Sequence, residues 1–154
     1  HRSADSWGLS TENCGHTSKI VLPQGIVIPW VNGQDVEKIT IVKHLEKRGP
    51  RDHVVPGSRE RSMTLGQGFR VFVVENLLDA LWLHQETQNR LRVIIPHDIL
   101  SAPDQEALEV LRDAEEVLIF PDRTKKNPSE TWSRHIKIAT PLSYSHKEEL
   151  QAAI

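Results

Sequence analysis

Phe69 to Gln85 reads FRVFVVENLLDALWLHQ. Arg70–Val74 is a short run dominated by Val and Phe, the composition of a strand buried on both faces. The run stops at an acid, Glu75. Leu77, Leu78, Leu81 and Trp82 then recur at helical spacing, which predicts an amphipathic helix over Asn76–Gln88. A second acid, Asp79, stands four residues after Glu75, one turn up that helix. Carboxylates so placed suit a metal or phosphoryl-transfer site. They also suit the first turn of any helix, where an acid gains about 0.3–1 kcal/mol from the helix dipole.

Toward the C-terminus the alternation continues. Arg92–Ile95 is a second short strand, and Ser101 opens a helix as its N-cap, with Pro103, Asp104 and Glu106 following. Leu108 and Leu111 line its inner face. Glu116–Phe120 is a third strand, Pro128–Arg134 a short helix, Ile136–Ala139 a fourth strand and Ser145–Ala153 a last helix. Strands alternating with helices predict an α/β fold with a mostly parallel sheet flanked by helices and right-handed crossovers. In such sheets ligands sit beyond the carboxyl ends of the strands. Those ends carry Glu75, then His97 and Asp98, then Asp122 with Arg123, Lys125 and Lys126 close behind. Carboxylates without thiolates suit a hard divalent ion such as Mg2+ or Mn2+. The alternative is that strand ends are polar because they are wet.

Toward the N-terminus the pattern is different. Residues 1–19 form a polar lead-in arm with Trp7 and Leu9 as its apolar anchors. Ile20–Val31 is β-rich and broken by Pro23 and Pro29, which belong at strand edges and ends. Asn32-Gly33 is a tight-turn signal before a second β-type run, Val36–Val42, so a hairpin is expected. His44–Ser62 is a loop with one short strand at His53–Val55. Lys43, Lys47, Arg48, Arg51, Arg59 and Arg61 are candidate contacts to nucleic-acid phosphates, and Lys125 and Lys126 could extend them. The plain alternative for such a loop is solvated surface. The expected division is an arm over 1–19, a small β-rich segment with its basic loop over 20–66, and an α/β core over 67–154.

Composition narrows the class. The chain has 154 residues, 38% of them hydrophobic and 26% charged, and a net charge of −2, ordinary for a globular protein without overall basic character. One cysteine, Cys14, excludes a disulfide framework within the chain and a cysteine-based zinc cluster, so Cys14 beside His16 reads as incidental. No apolar run reaches the roughly 18–20 residues of a membrane span, and no signal peptide is visible, so a cytoplasmic protein without membrane contact is expected. The chain opens on His1 rather than Met, which reads as an excised piece. Trp30 and Trp132 could stack on bases, although packing within their own domain is the commoner role. Trp82 fits the buried stripe, and His84 reads as an exposed helix residue.

The order strand, Glu-x-x-x-Asp, helix, strand, helix, strand ending in an acid resembles the Toprim domain of bacterial-type primases, type IA and II topoisomerases and some nucleases. Upstream, GIVIPWVNGQDVEKITI and HVVPGS resemble the segment that precedes the Toprim core in primases and primase-helicases of phages and mobile elements. The likeness spans roughly residues 20–140. It implies a Toprim-like fold and metal-dependent RNA primer synthesis on a DNA template. It also implies Glu75 in acid/base or metal work, Asp79 in support, and Asp122 as the second acid of the family's metal-binding Asp-x-Asp. Mg2+ or Mn2+ would bind weakly, with no zinc. Single-stranded DNA, nucleotides and a replicative helicase, fused or separate, would be partners.

Several positions depart from the family. Phe120 replaces the first aspartate of Asp-x-Asp, and Asn76 replaces the usual glycine after the glutamate. Arg123-Thr124-Lys125 replaces a small residue and glycine, and Ser145–Glu148 is a weak version of a later acidic motif. Losing one carboxylate removes a ligand and a negative charge from a site that already binds magnesium loosely. Asp98 or His97 could compensate. Two functions follow: a primase-type catalytic core, or a degenerate Toprim domain that binds nucleic acid or a replication partner without chemistry. A strand-cleaving enzyme of the topoisomerase kind would need a nucleophilic tyrosine, and Tyr144 has no surrounding pattern that supports one.

Overall fold

The computed structural model describes residues 22–43, 52–120, 132 and 139–141. The chain divides into two compact units, His1–Glu60 and Arg61–Ile154. The division falls before residue 61 rather than at the expected 66, because a short strand at Met63–Leu65 pairs into the second unit's sheet.

The first unit is built on a hairpin, β1 (Gly25–Asn32) and β2 (Asp35–Lys43), with β3 (Asp52–Val54) on the other side of β2. All its pairings are antiparallel. Gly33 and Gln34 form the two-residue loop, and Gly33 alone takes a positive φ, 63°, as glycine does at the first position of a type II′ turn. Pro29 lies in β1, an edge strand, where its missing N–H leaves no ladder bond unmade. Ile39, Ile41 and Val55 form the unit's buried cluster, with Leu22 and Val36 packed against it.

The Pro56-Gly57-Ser58 stretch has a local cause. Gly57 turns the chain at φ 93°, and Ser58 Oγ accepts a hydrogen bond from Ile39 N at 3.1 Å. Val55 N and Arg59 N donate to Ile39 O and Glu37 O at 2.9 and 2.8 Å, so the chain after β3 continues along β2.

The second unit is a mixed five-stranded sheet in the order β4-β6-β5-β7-β8. The strands are β4 (Met63–Leu65), β5 (Arg70–Val74), β6 (Arg92–Ile95), β7 (Glu116–Phe120) and β8 (Ala139–Pro141). β6, β5, β7 and β8 run parallel, and β4 is an antiparallel edge. A mostly parallel sheet is therefore present, with helices α1 (Leu77–Glu86) and α2 (Gln105–Arg112) among the described residues.

The connections explain the layering. The β5–α1–β6 crossover moves one way across the sheet, and β6–α2–β7 returns past β5 to its other side. Right-handed crossovers in opposite directions put their helices on opposite faces. Burial agrees: Val71, Val73, Ile94, Val117 and Ile119 pack with Ala107 and Leu111 of α2, with Ile99 and with Trp132. The alternate residues Phe72, Val74, Val93, Ile95, Leu118 and Phe120 point to the other face and are equally buried. Leu77, Ala80 and Leu83 are the buried residues of α1, which lies against β5 and β6. Each buried Val, Leu or Ile side chain among these contributes about 1.5–3 kcal/mol on leaving water.

Several boundaries differ from expectation. Helix α2 starts at Gln105 with Asp104 as its cap, not at Ser101. Asp104 has the extended backbone of a cap, and its Oδ1 accepts from Ala107 N at 3.0 Å. Its Oδ2 accepts from Ser62 N, which ties the start of β4 to α2. The inner face of α2 is Ala107 and Leu111, with Leu108 only half-buried. His84 is half-buried rather than exposed, its Nδ1 enclosed without a hydrogen-bond partner. Trp82 is half-buried, and Trp132 is a core residue at 1% exposure. The last described strand is Ala139–Pro141, at the end of the expected Ile136–Ala139. The arm over 1–19, the helix at Ser145–Ala153 and all of Pro128–Arg134 except Trp132 lie outside the described residues.

Candidate functional site

The carboxyl ends of β6, β5 and β7 lie side by side. Val74 and Phe120 are register partners, so Glu75 leaves β5 at the level where β7 ends. The chain departs from β5 toward β6 and returns from β6 to β7, so its direction of winding reverses between β5 and β7. A crevice at such a reversal is where open α/β sheets hold ligands. Glu75 is half-buried at this point. Asp122, two residues beyond Phe120, lies outside the described residues, as do Lys47, Arg48, Arg51, Lys125 and Lys126.

The turn from β5 into α1 is held by Asn76. Its backbone is extended (φ −79°, ψ 120°), and its side-chain oxygen accepts from Leu78 N at 2.9 Å and Asp79 N at 3.4 Å. Asn76 O accepts the first helical bond, from Ala80 N at 3.0 Å. Asparagine at this place is thus a helix cap. Asp79 is the third residue of α1, where an acid also complements the exposed N–H groups.

Asp98 has a local task as well. Its Oδ1 accepts from Leu100 N at 3.0 Å and its Oδ2 from Ser101 Oγ at 2.7 Å, which shapes the turn after β6. His97, next to it, is exposed. Among the described residues no three His, Cys, Asp or Glu side chains are grouped to hold a metal ion. Glu75 and Asp79 are not part of such a group among the described residues.

Phe120 is 3% exposed and stacks on Phe72, with ring centroids 5.4 Å apart and planes 6° from parallel. Phe120, which the resemblance would set in the place of an aspartate, is part of the apolar core. The Arg70 guanidinium lies 5.6 Å from the Phe72 ring centroid and also pairs with Glu116.

Two of the described basic-loop cations are ion-paired. Arg59 pairs with Glu37 at 3.1 Å while its side chain stays 59% exposed. Arg61, in the second unit, pairs with Glu106 on α2. Lys43 is the last residue of β2 and half-buried.

Sequence reasoning missed the capping roles of Asn76 and Asp104. The signal was present in both cases, a short polar side chain just before a helical pattern. The family resemblance at Asn76 and the serine at Ser101 compete with that signal. No described helix is long and apolar enough to cross a membrane. Set against known proteins, the chain matches no family model, no curated protein and no solved structure. What the fold defines is a mixed α/β sheet with an acid at its switch point in one unit, and a small antiparallel sheet in the other.

Proposed function

We propose that this chain is a nucleic-acid-processing domain of the Toprim type, the catalytic core fragment of a cytoplasmic DNA primase from a phage or mobile element. It would join ribonucleotides on a single-stranded DNA template, alongside a replicative helicase. The observation that carries the reading is the register pair Val74–Phe120, which brings Glu75 beside the exit of β7 at the sheet's switch point. In this reading Glu75 does acid/base or metal work, with Asp79 in support. Mg2+ or Mn2+, held by Glu75 and Asp122 with Asp98 nearby, supplies charge stabilisation for phosphoryl chemistry. Lys43, Arg59 and Arg61, with Lys47, Arg48, Arg51, Lys125 and Lys126, hold phosphates of template or nucleotide.

A second reading draws on different observations. Phe120 is buried in the core, and both carboxylate oxygens of Asp98 already accept hydrogen bonds. These favour a degenerate Toprim domain that binds nucleic acid or a replication partner without chemistry. Calorimetric titration of manganese into the chain, beside Glu75→Ala and Asp122→Ala, separates the two. The catalytic reading expects saturable binding that either substitution abolishes, and primer synthesis from ribonucleotides that needs both acids. Binding of single-stranded DNA with no manganese uptake would leave only the second reading standing.

A further inference from the structure

We infer that Asn76 is a positioning residue for Glu75, keeping that acid's side chain in one orientation at the exit of β5. The inference rests on the reading of Glu75 as a site residue. Glu75 is the single residue between the last residue of β5 and the cap of α1. On one side Val74 is 2% exposed and in register with Phe120. On the other, the Asn76 side-chain oxygen closes the first turn of α1 on Leu78 N and Asp79 N. The chain has to change from extended to helical within this short join, so the directions in which Glu75 can point depend on how firmly both ends are held.

The same oxygen reaches the backbone of Asp79, so one amide group ties the segments carrying both acids. Glycine at residue 76 could form the turn and offer no such tether. A cap with a side-chain acceptor adds the tether, and Asp would supply an equivalent oxygen. An ordinary cap would alter helix stability alone. A positioning residue alters the rotamer distribution of its neighbour.

The test uses the full chain labelled with 15N and 13C. Three-bond couplings about the Cα–Cβ bond of Glu75 report whether its first side-chain torsion occupies one well or several. Amide exchange at Leu78 and Asp79 reports whether the cap is intact. One well is expected in the wild type and in Asn76→Asp, and averaged couplings in Asn76→Ala. Asn76→Gly is the second variant, because glycine at a cap position weakens a helix far less than alanine does and the fold survives the change. Averaged couplings in Asn76→Gly, rescued in Asn76→Asp, carry the inference. Glu75 in one well in Asn76→Gly overturns it, as do averaged couplings in the wild type. Manganese added to the wild type addresses the function separately. Failure to broaden the Glu75 resonances removes the metal reading and leaves the coupling result to judge Asn76 by itself.

Discussion

Phe120 lies flat against Phe72, the two rings stacked across neighbouring parallel strands at a centroid distance of 5.4 Å. The pair fills the face of the sheet opposite α2, at the edge where Glu75 emerges. Phe120→Ala therefore lowers unfolding stability by about 3–5 kcal/mol, the range for truncating a buried phenylalanine. Phe120→Asp, which would place an acid two residues before Asp122, costs at least as much, because a carboxylate enters an apolar position. Urea unfolding followed by circular dichroism measures both. An unchanged midpoint in Phe120→Ala would mean that the stack is not part of the core.

Asp104 joins two elements through one carboxylate, capping α2 with one oxygen and accepting from Ser62 N with the other. Asp104→Ala removes both bonds and lowers stability by about 2 kcal/mol, the upper end for a lost cap. Because the Ser62 donor is its backbone N–H, Ser62→Ala keeps the contact. Hydrogen exchange at Ser62 should quicken in Asp104→Ala. Unaltered exchange there would show that the clamp to β4 does not form in solution.

After α1 two consecutive non-glycine residues take positive φ, Gln88 at 49° and Asn89 at 67°. Asparagine tolerates this region and glutamine does so less well. Gln88→Gly is expected to raise stability by roughly 0.5–1 kcal/mol, since the strain relieved exceeds the flexibility added. The opposite sign is expected at Gly66, where φ is 76° and an added Cβ would stand 2.1 Å from Leu91 O. Gly66→Ala should lower stability by about 2–3 kcal/mol. Thermal melts of the two variants moving in the same direction would refute this account of the turn.

Arg59 is paired with Glu37 yet remains largely in water. An exposed pair of this kind contributes about 0–1 kcal/mol, so Arg59→Ala should scarcely move the melting temperature. If Arg59 and Arg61 face nucleic acid, replacing both with alanine weakens single-stranded DNA binding and flattens its salt dependence by about one unit of slope per lost phosphate contact. Glu37→Gln should strengthen binding by releasing Arg59 from its partner. Fluorescence anisotropy across a salt series decides. Equal affinity and equal slope in the double variant would remove both arginines from any DNA surface.

The sequence by itself determined the elements whose signal is local. Val71 to Val74 announces a buried strand, and leucines at helical spacing announce α1. Val93–Ile95 and Val117–Phe120 repeat the strand signal, and their bounds agree with the structure at Arg92–Ile95 and Glu116–Phe120. Periods of two and 3.6 residues can be read over a few consecutive positions, because they record which face of one element meets the core. The hairpin around Gly33 is equally local, since a two-residue loop leaves its strands no other partner to meet first.

Tertiary structure alone decided the rest. Strand β4 is three residues long, too short for any alternation to register, and only its pairing with β6 assigns Met63–Leu65 to the second unit. Ser101 and Asp104 are both plausible caps by composition. The choice fell to Asp104 because its backbone is extended where α2 begins and because Ser62 N lies within reach of its second oxygen. Whether Phe120 faces a site or a core depends on the neighbour across the sheet. The order β6-β5-β7, which puts Phe72 beside it, arises from pairing between segments far apart in the chain. That same order sets Glu75 at the point where the sheet's winding reverses, a position that no local pattern in FRVFVVENLLDALWLHQ encodes.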